Sequence, residues 1–208
     1  MKFSKNIIYL FVILNMTPLF SHGFAELRLT YGGLGTKDFA TDACGSLCTT
    51  ALPGVLPLVG LGADVIISPP LTSYGFGLRY EKIGLTGSAG SLSVDAKVER
   101  IAALINYRII DTIIHFGPIF SFGVSTQSSL SITNSGSDLV NYKSSISDSA
   151  SAGIELSVKP LIIIPIIVGA EAGYEYLKIK NAHDNINNKD LDLDLSGVYL
   201  KVLLGLAF

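Results

Sequence analysis

The sequence predicts an all-β protein, a closed antiparallel eight-stranded transmembrane β-barrel, and three observations point to it. Of 208 residues, 49% are hydrophobic and only 15% charged, with 21 glycines. Soluble domains carry about 25% charged residues, and disordered chains are poor in apolar ones, so this balance suits lipid. A membrane-crossing helix needs an apolar run of about 18 residues or more. Beyond residue 25 the longest such run, 161–170, is short and contains Pro165. A chain in lipid without such helices satisfies its backbone by closing strands into a barrel. The third observation is two-residue alternation, the period of a wall with one face to lipid and the other to the lumen.

Residues 1–25 read as a signal peptide. Lys2 and Lys5 form the charged start, residues 7–14 the apolar core, and Gly23-Phe24-Ala25 the cleavage site. The predicted barrel domain is then 26–208. Removing Lys2 and Lys5 from 15 Lys+Arg, against 17 Asp+Glu, leaves a net charge of −4. No basic surface for nucleic acid is visible. Export to an oxidising compartment leads us to expect that Cys44 and Cys48 pair in a small disulfide loop.

Eight segments alternate. In 26–35, Leu27, Leu29 and Tyr31 share a face opposite Glu26, Arg28 and Thr30. In 58–68, Val59, Leu61, Ala63, Val65 and Ile67 oppose Gly60, Gly62 and Asp64. In 74–81, Tyr74, Phe76, Leu78 and Tyr80 oppose Arg79, Glu81 and two glycines. The fourth, 94–108, has Ile101, Ala103, Ile105 and Tyr107 outward, and Arg100, Ala102, Asn106 and Arg108 inward. The fifth, 113–125, sets Ile114, Phe116, Phe120, Phe122 and Val124 against His115, Gly117, Ser121 and Gly123. In 149–159, Ala150, Ala152, Ile154, Leu156 and Val158 oppose Ser151, Gly153, Glu155 and Ser157. In 166–177, Val168, Ala170, Ala172, Tyr174 and Tyr176 oppose Glu171, Glu175 and two glycines. The last segment carries Val198, Leu200, Val202, Leu204, Leu206 and Phe208 outward, with Tyr199, Lys201 and Leu203 between them.

The connections alternate too. Long polar or Gly/Ser-rich loops are predicted at 36–57, 82–92, 126–148 and 178–196, and short turns at 69–73, 109–112 and 160–165. Outer-membrane barrels have this asymmetry, and an even strand count puts both termini on the periplasmic side.

An eight-stranded barrel is about wide enough for its own side chains to fill the lumen. The inward charges are Glu26, Arg28, Asp64, Arg79, Glu81, Arg100, Arg108, Glu155, Glu171, Glu175 and Lys201. Six acids against five bases predict an ion-pair network that plugs and rigidifies the barrel, since an unpaired buried charge is costly. The outward tyrosines and phenylalanines read as interfacial girdles.

The terminal run VYLKVLLGLAF, 198–208, resembles the last strand of bacterial outer-membrane proteins. That resemblance implies that Phe208 is the aromatic signal read by the barrel assembly machinery. With the leader, GPIFSFG at 117–123 and VGAEAGYEY at 168–176, the chain is similar to small barrels of the OmpA-like and OmpW-like type. The resemblance implies a porin-like integral protein of the bacterial outer membrane, surrounded by lipid and lipopolysaccharide. No cofactor is expected.

For catalysis, only His115 and His183 survive removal of the leader, which takes His22, and no local motif joins His115 to Ser121 and a luminal glutamate. A non-enzyme is expected. Asp190, Asp192 and Asp194 fall on one face if extended, offering hard-cation chemistry or simply a solvated acidic loop. Counting back from Phe208, that face has lipid-side parity, so the segment either stands above the membrane or is flipped by a bulge at 196–197. The functional expectation is a non-enzymatic surface protein whose long loops meet envelope or host molecules. The alternative is an OmpW-like channel for small or apolar solutes, suggested by luminal Leu104, Ile119 and Leu203 and by Pro118 and Pro165 in the wall.

Overall fold

The computed structural model describes residues 25–36, 56–69, 72–89, 91–144, 147–158, 165–184 and 189–208. The leader through residue 24 and both cysteines lie outside these residues. The strands are β1 (Ala25–Thr36), β2 (Leu56–Ile67), β3 (Tyr74–Ala89), β4 (Leu92–Tyr107), β5 (Ile110–Asp111), β6 (Ile114–Asn134), β7 (Ser137–Ser144), β8 (Ser147–Val158), β9 (Ile166–Asp184), β10 (Lys189–Asp194) and β11 (Gly197–Ala207).

Eight of them form the wall in the cyclic order β1-β2-β3-β4-β6-β8-β9-β11, with β11 returning to β1, and every pairing is antiparallel. Closure into a ring leaves no terminal edge strand for lipid to meet. It is completed at the chain end, where Leu27 pairs with Leu206, and the Ala25 and Phe208 backbones exchange hydrogen bonds of 3.1 and 2.8 Å. Ala25, the last residue of the predicted leader, is thus paired into the wall.

The predicted facing holds along most of the wall. Leu61, Leu78, Val124, Val198 and Leu200 are among the exposed apolar residues, while the charged residues between them are buried. From Val198 to Phe208, about ten residues at about 3.4 Å rise and about 40° tilt span about 26 Å of axis, close to the ~25 Å apolar band of such barrels. Aromatic rings mark both rims. Tyr74 and Tyr107 lie 4.9 Å apart near the termini. Tyr80 and Tyr176 each sit one outward position before a lysine, Lys82 and Lys178.

Three of the predicted long loops are largely strand. β3 and β4 continue as a ribbon to Ala89 and Leu92, β6 and β7 to Asn134 and Ser137, and β9 and β10 to Asp184 and Lys189. In these extensions the alternation keeps its period and reverses its polarity. On β4, Val94, Ala96 and Val98 turn inward and Asp95, Lys97 and Glu99 outward; two residues on, Arg100 is inward and Ile101 outward. Leu177 and Ile179 on β9, and Leu193 and Leu195 at the β10 end, are likewise buried. With Leu34, Leu58, Ile83, Leu130, Ile132 and Tyr199 they form one apolar cluster that caps the lumen. Lipid rewards apolar residues outside, and water rewards them inside, so the reversal marks where the wall leaves the bilayer.

Gly123 keeps its predicted inward placement: it pairs with the buried Ala102, and a Cβ there would meet the Ser149 side chain. The β4–β6 register slips between Ile101 and Ala102, which pair with Ser125 and Gly123 respectively, so Gly123 and Val124 form a bulge. The extra residue shifts the phase of β6, so beyond it Thr126, Leu130 and Ile132 are the buried positions.

Candidate functional site

Antiparallel register places opposite charges side by side inside the barrel. Asp64 lies between Arg28 on β1 and Arg79 on β3, and Glu81 pairs across to Arg100 on β4. All eleven predicted luminal charges are buried. They resolve into three layers, each built around an arginine between two carboxylates.

Nearest the termini, Arg28 donates to Glu26 at 2.5 Å and to Glu155 at 2.8 Å, and Arg108 donates to Glu26 at 2.6 Å. The middle layer is centred on Arg79. It donates to Asp64 at 2.9 and 2.8 Å and to Glu171 at 2.9 and 2.6 Å, a fork on each carboxylate. The Tyr199 hydroxyl donates to Glu171 at 2.7 Å. In the third layer Arg100 meets Glu81 and, at 2.6 Å, Glu175, while the Lys201 ammonium donates to Glu81 and stacks 4.5 Å from the Tyr199 ring centre.

Glu155 and Glu171 face each other directly across β8 and β9, a destabilising pair when unrelieved. Each is drawn to a different arginine, Arg28 and Arg79. Glycines make room for these long side chains. A Cβ on Gly153 would collide with the Tyr199 hydroxyl, and one on Gly205 would meet the Arg28 stem at 2.9 Å.

Sequence reasoning missed Asp111 and Tyr199 as members of this network. Asp111 sits in the predicted 109–112 turn, where β5 pairs it with His115; its carboxylate lies 3.2 Å from His115 and 3.7 Å from Arg108. Alternation cannot read a turn, so only the structure reveals it. Counting Asp111, the described lumen holds seven carboxylates against five permanent cations.

The structure does not assemble the Ser/His/acid set considered from sequence. His115 lies at the terminal end against Asp111, whereas Ser121 shares a 2.6 Å hydrogen bond with Ser151 six residues further along β6, about 20 Å at about 3.4 Å per residue. His183, placed by sequence in a loop, is in β9 and bonds Asp190 at 2.8 Å.

The three aspartates stand on the outward face of β10, above the apolar band, and no phase flip occurs at 196–197, because Leu193, Leu195, Gly197 and Tyr199 keep one parity. Asp194 binds Lys178 at 3.2 Å and Asp190 binds His183, so these two carboxylates turn to separate partners. Among the described residues no three His, Cys, Asp or Glu side chains gather as a metal site. Phe208 is two-thirds exposed at the terminal rim, as an outward residue of the closing strand should be.

Ion pairs fill the membrane section, and the apolar cluster fills the section beyond it. Two small cavities lie inside, about 20 Å³ beside Glu81, Glu175 and Lys201, and about 10 Å³ beside Arg108, His115 and Glu155, room for about one water each. A further cavity, about 530 Å³, is an open groove on the outside between β4, β6 and β7.

No family model matches the sequence, and no curated protein does. Solved structures match the fold. Neisserial surface protein A is 16% identical, with 88% of this chain and 97% of that one covered at a TM-score of 0.50. Ail, the attachment invasion locus protein of Yersinia pestis, solved with the heparin analogue sucrose octasulfate, is 12% identical at 0.51, covering 89% and 98%. A major outer membrane protein from Thermus thermophilus is 10% identical at 0.53, covering 88% and 99%. The fold is that of small outer-membrane barrels.

Proposed function

We propose that the protein is a non-enzymatic anchor of the outer membrane that carries three β-ribbons beyond the bilayer for contact with envelope or host molecules. The termini face the periplasm and the ribbons face outward. The observation that carries this reading is the reversal of polarity along β4, β9 and β10–β11, with lipid-compatible residues outside on the terminal side and charges outside beyond it. The Arg79 layer and the apolar cap, both seated within the lumen, support anchoring over transport. The leader ends near Ala25 on this reading, and Phe208 serves barrel assembly.

A second reading, passage of small solutes, has one observation in its favour. β8 pairs with β6 only as far as Phe122, and β7 resumes at Ser128, so the wall ladder is interrupted there among the described residues. Planar-bilayer recording separates the two. Anchoring predicts no conductance steps, whereas steps that change in Arg79→Ala or Glu171→Ala would establish a pore. Orientation is tested by Ser137→Cys in intact cells, where a membrane-impermeant maleimide is expected to label the ribbon. Labelling only after permeabilisation would reverse the assignment.

A further inference from the structure

The 530 Å³ groove lies on the outer surface of the wall, where the β6 ladder passes from β8 to β7, and its lining includes Lys97, Glu99, Gln127, Ser129, Lys143 and Ser144. Its height is set by register. Glu99 pairs with Gln127 one outward position beyond Ile101 and Ser125, so the groove opens at the edge of the apolar band. Directly below lie Ile101, Phe122 and Val124, the last 70% exposed. A cationic mouth over an apolar wall is the profile of an amphiphile with an anionic head.

The charge is suitably placed. Glu99 is already shared between Lys82 at 3.3 Å and Lys97 at 3.2 Å. Lys143 has no carboxylate within salt-bridge distance among the described residues, and lies across the groove from Lys97. Asp95 is the next outward residue of β4 beyond Lys97 and does not line the groove. The lining therefore holds two lysines against one carboxylate, and the flanking Lys82 and Asp95 bring the neighbourhood to three lysines against two, with the Gln127 amide and the Ser129 hydroxyl as neutral donors. The volume is in the range of sites for small molecules, about 300–1,000 Å³, so a phosphorylated sugar headgroup fits where a bare phosphate would leave most of the space empty.

We propose that this groove binds the phosphate-bearing headgroup of a lipid in the surrounding leaflet, with Lys97 and Lys143 as the phosphate ligands and the lipid chains lying against Ile101, Phe122 and Val124. The lysines act as point charges on the phosphate, and the amide and hydroxyl select a polar, hydrogen-bonding head. This deepens the anchoring reading by naming a lipid partner, and it rests on the barrel being inserted.

The test uses the full protein purified in dodecyl maltoside and native mass spectrometry. The probes are a bisphosphorylated glucosamine lipid, its dephosphorylated counterpart, and inorganic pyrophosphate alone. The phosphorylated lipid is expected to be retained at least about fivefold over the dephosphorylated one. That preference should vanish in Lys97→Ser/Lys143→Ser and survive in Lys97→Arg/Lys143→Arg and in Lys180→Ser, whose lysine serves Asp148 at 2.5 Å instead. A preference that persists in the double serine variant overturns the site. Equal loss in Lys180→Ser shows diffuse attraction and overturns it as well. Pyrophosphate displacing the lipid at equal concentration shows a free-anion site, not a lipid one. Heat-dependent gel migration, measured first, reports whether each variant is a folded barrel; failure there would refute the membrane reading, whereas loss of lipid preference alone would not.

Discussion

Removing the Arg79 guanidinium while keeping its bulk, as in Arg79→Met, isolates the middle layer of the lumen. The arginine is fully buried and makes four hydrogen bonds to two carboxylates, none longer than 2.9 Å. Without it, Asp64 and Glu171 are left buried without their shared cation, with the Tyr199 hydroxyl still donating to Glu171. Breaking a buried pair by removing one partner costs about 3–5 kcal/mol. With a denaturant slope of about 2 kcal/mol per molar urea, the unfolding midpoint in lipid vesicles should fall by about 2 M. The informative comparison is the triple variant Arg79→Met/Asp64→Leu/Glu171→Met. Apolar replacement of a whole buried charge group is often neutral or stabilising, so the triple variant should recover most of what the single one loses. The measurement is urea unfolding followed by tryptophan-free far-UV signal and by gel migration. A single variant that shifts the midpoint by less than about 0.5 M, or a triple variant less stable than the single one, would refute the argument that charge desolvation governs this layer.

Three further outcomes are expected. Ile105→Arg, which puts a cation on the lipid face of β4 opposite Phe76 and Phe120, one outward position from the Tyr107 rim, should cost about 1–2 kcal/mol, between the rim and midplane values, read by the same unfolding assay; wild-type behaviour would contradict the facing of β4. Gly153→Val should lower the unfolding midpoint by about 1–3 kcal/mol of stability, because its Cβ is driven into the Tyr199 hydroxyl and lies 2.7 Å from the Ala172 carbonyl; unchanged stability would mean that the ring has space to move. Beyond the apolar band, hydrogen bonds from Lys97 and then Lys82 hold the Glu99 carboxyl below its ordinary value, which is about 4.3. A depressed carboxylate favours the folded ribbon above the ordinary value and loses that contribution as pH falls through the lowered one. NMR titration of Glu99 should show the low midpoint, and Lys82→Ala/Lys97→Ala should return it to normal.

The wall was legible because a strand between lipid and lumen has one rule, and Leu27 to Tyr31 or Val198 to Phe208 obey it without exception. The luminal charges were legible for the same reason. The ribbons were not, since Ser128, Ser129, Ser131, Thr133 and Asn134 have the composition of loops, and a strand rich in them lacks the apolar contrast that betrays its period. The signal was nevertheless present in Val94-Asp95-Ala96-Lys97-Val98-Glu99, a strict alternation whose sign opposes that of residues 100–107. Treating apolar residues as lipid-facing throughout hid it. The bulge at Gly123–Val124 and the role of Asp111 depend on contacts between strands far apart in sequence, which no local pattern carries.

The polarity reversal also fixes how deeply the barrel sits. Sinking by one outward position would draw Lys82, Glu99, Lys178 and Asp194 into hydrocarbon, and rising by one would lift Tyr80 and Tyr176 out of the headgroup zone and bare apolar wall to water. Both displacements are uphill, so the wall itself acts as a waterline, and the ribbons stand at a constant height above the membrane whatever they touch.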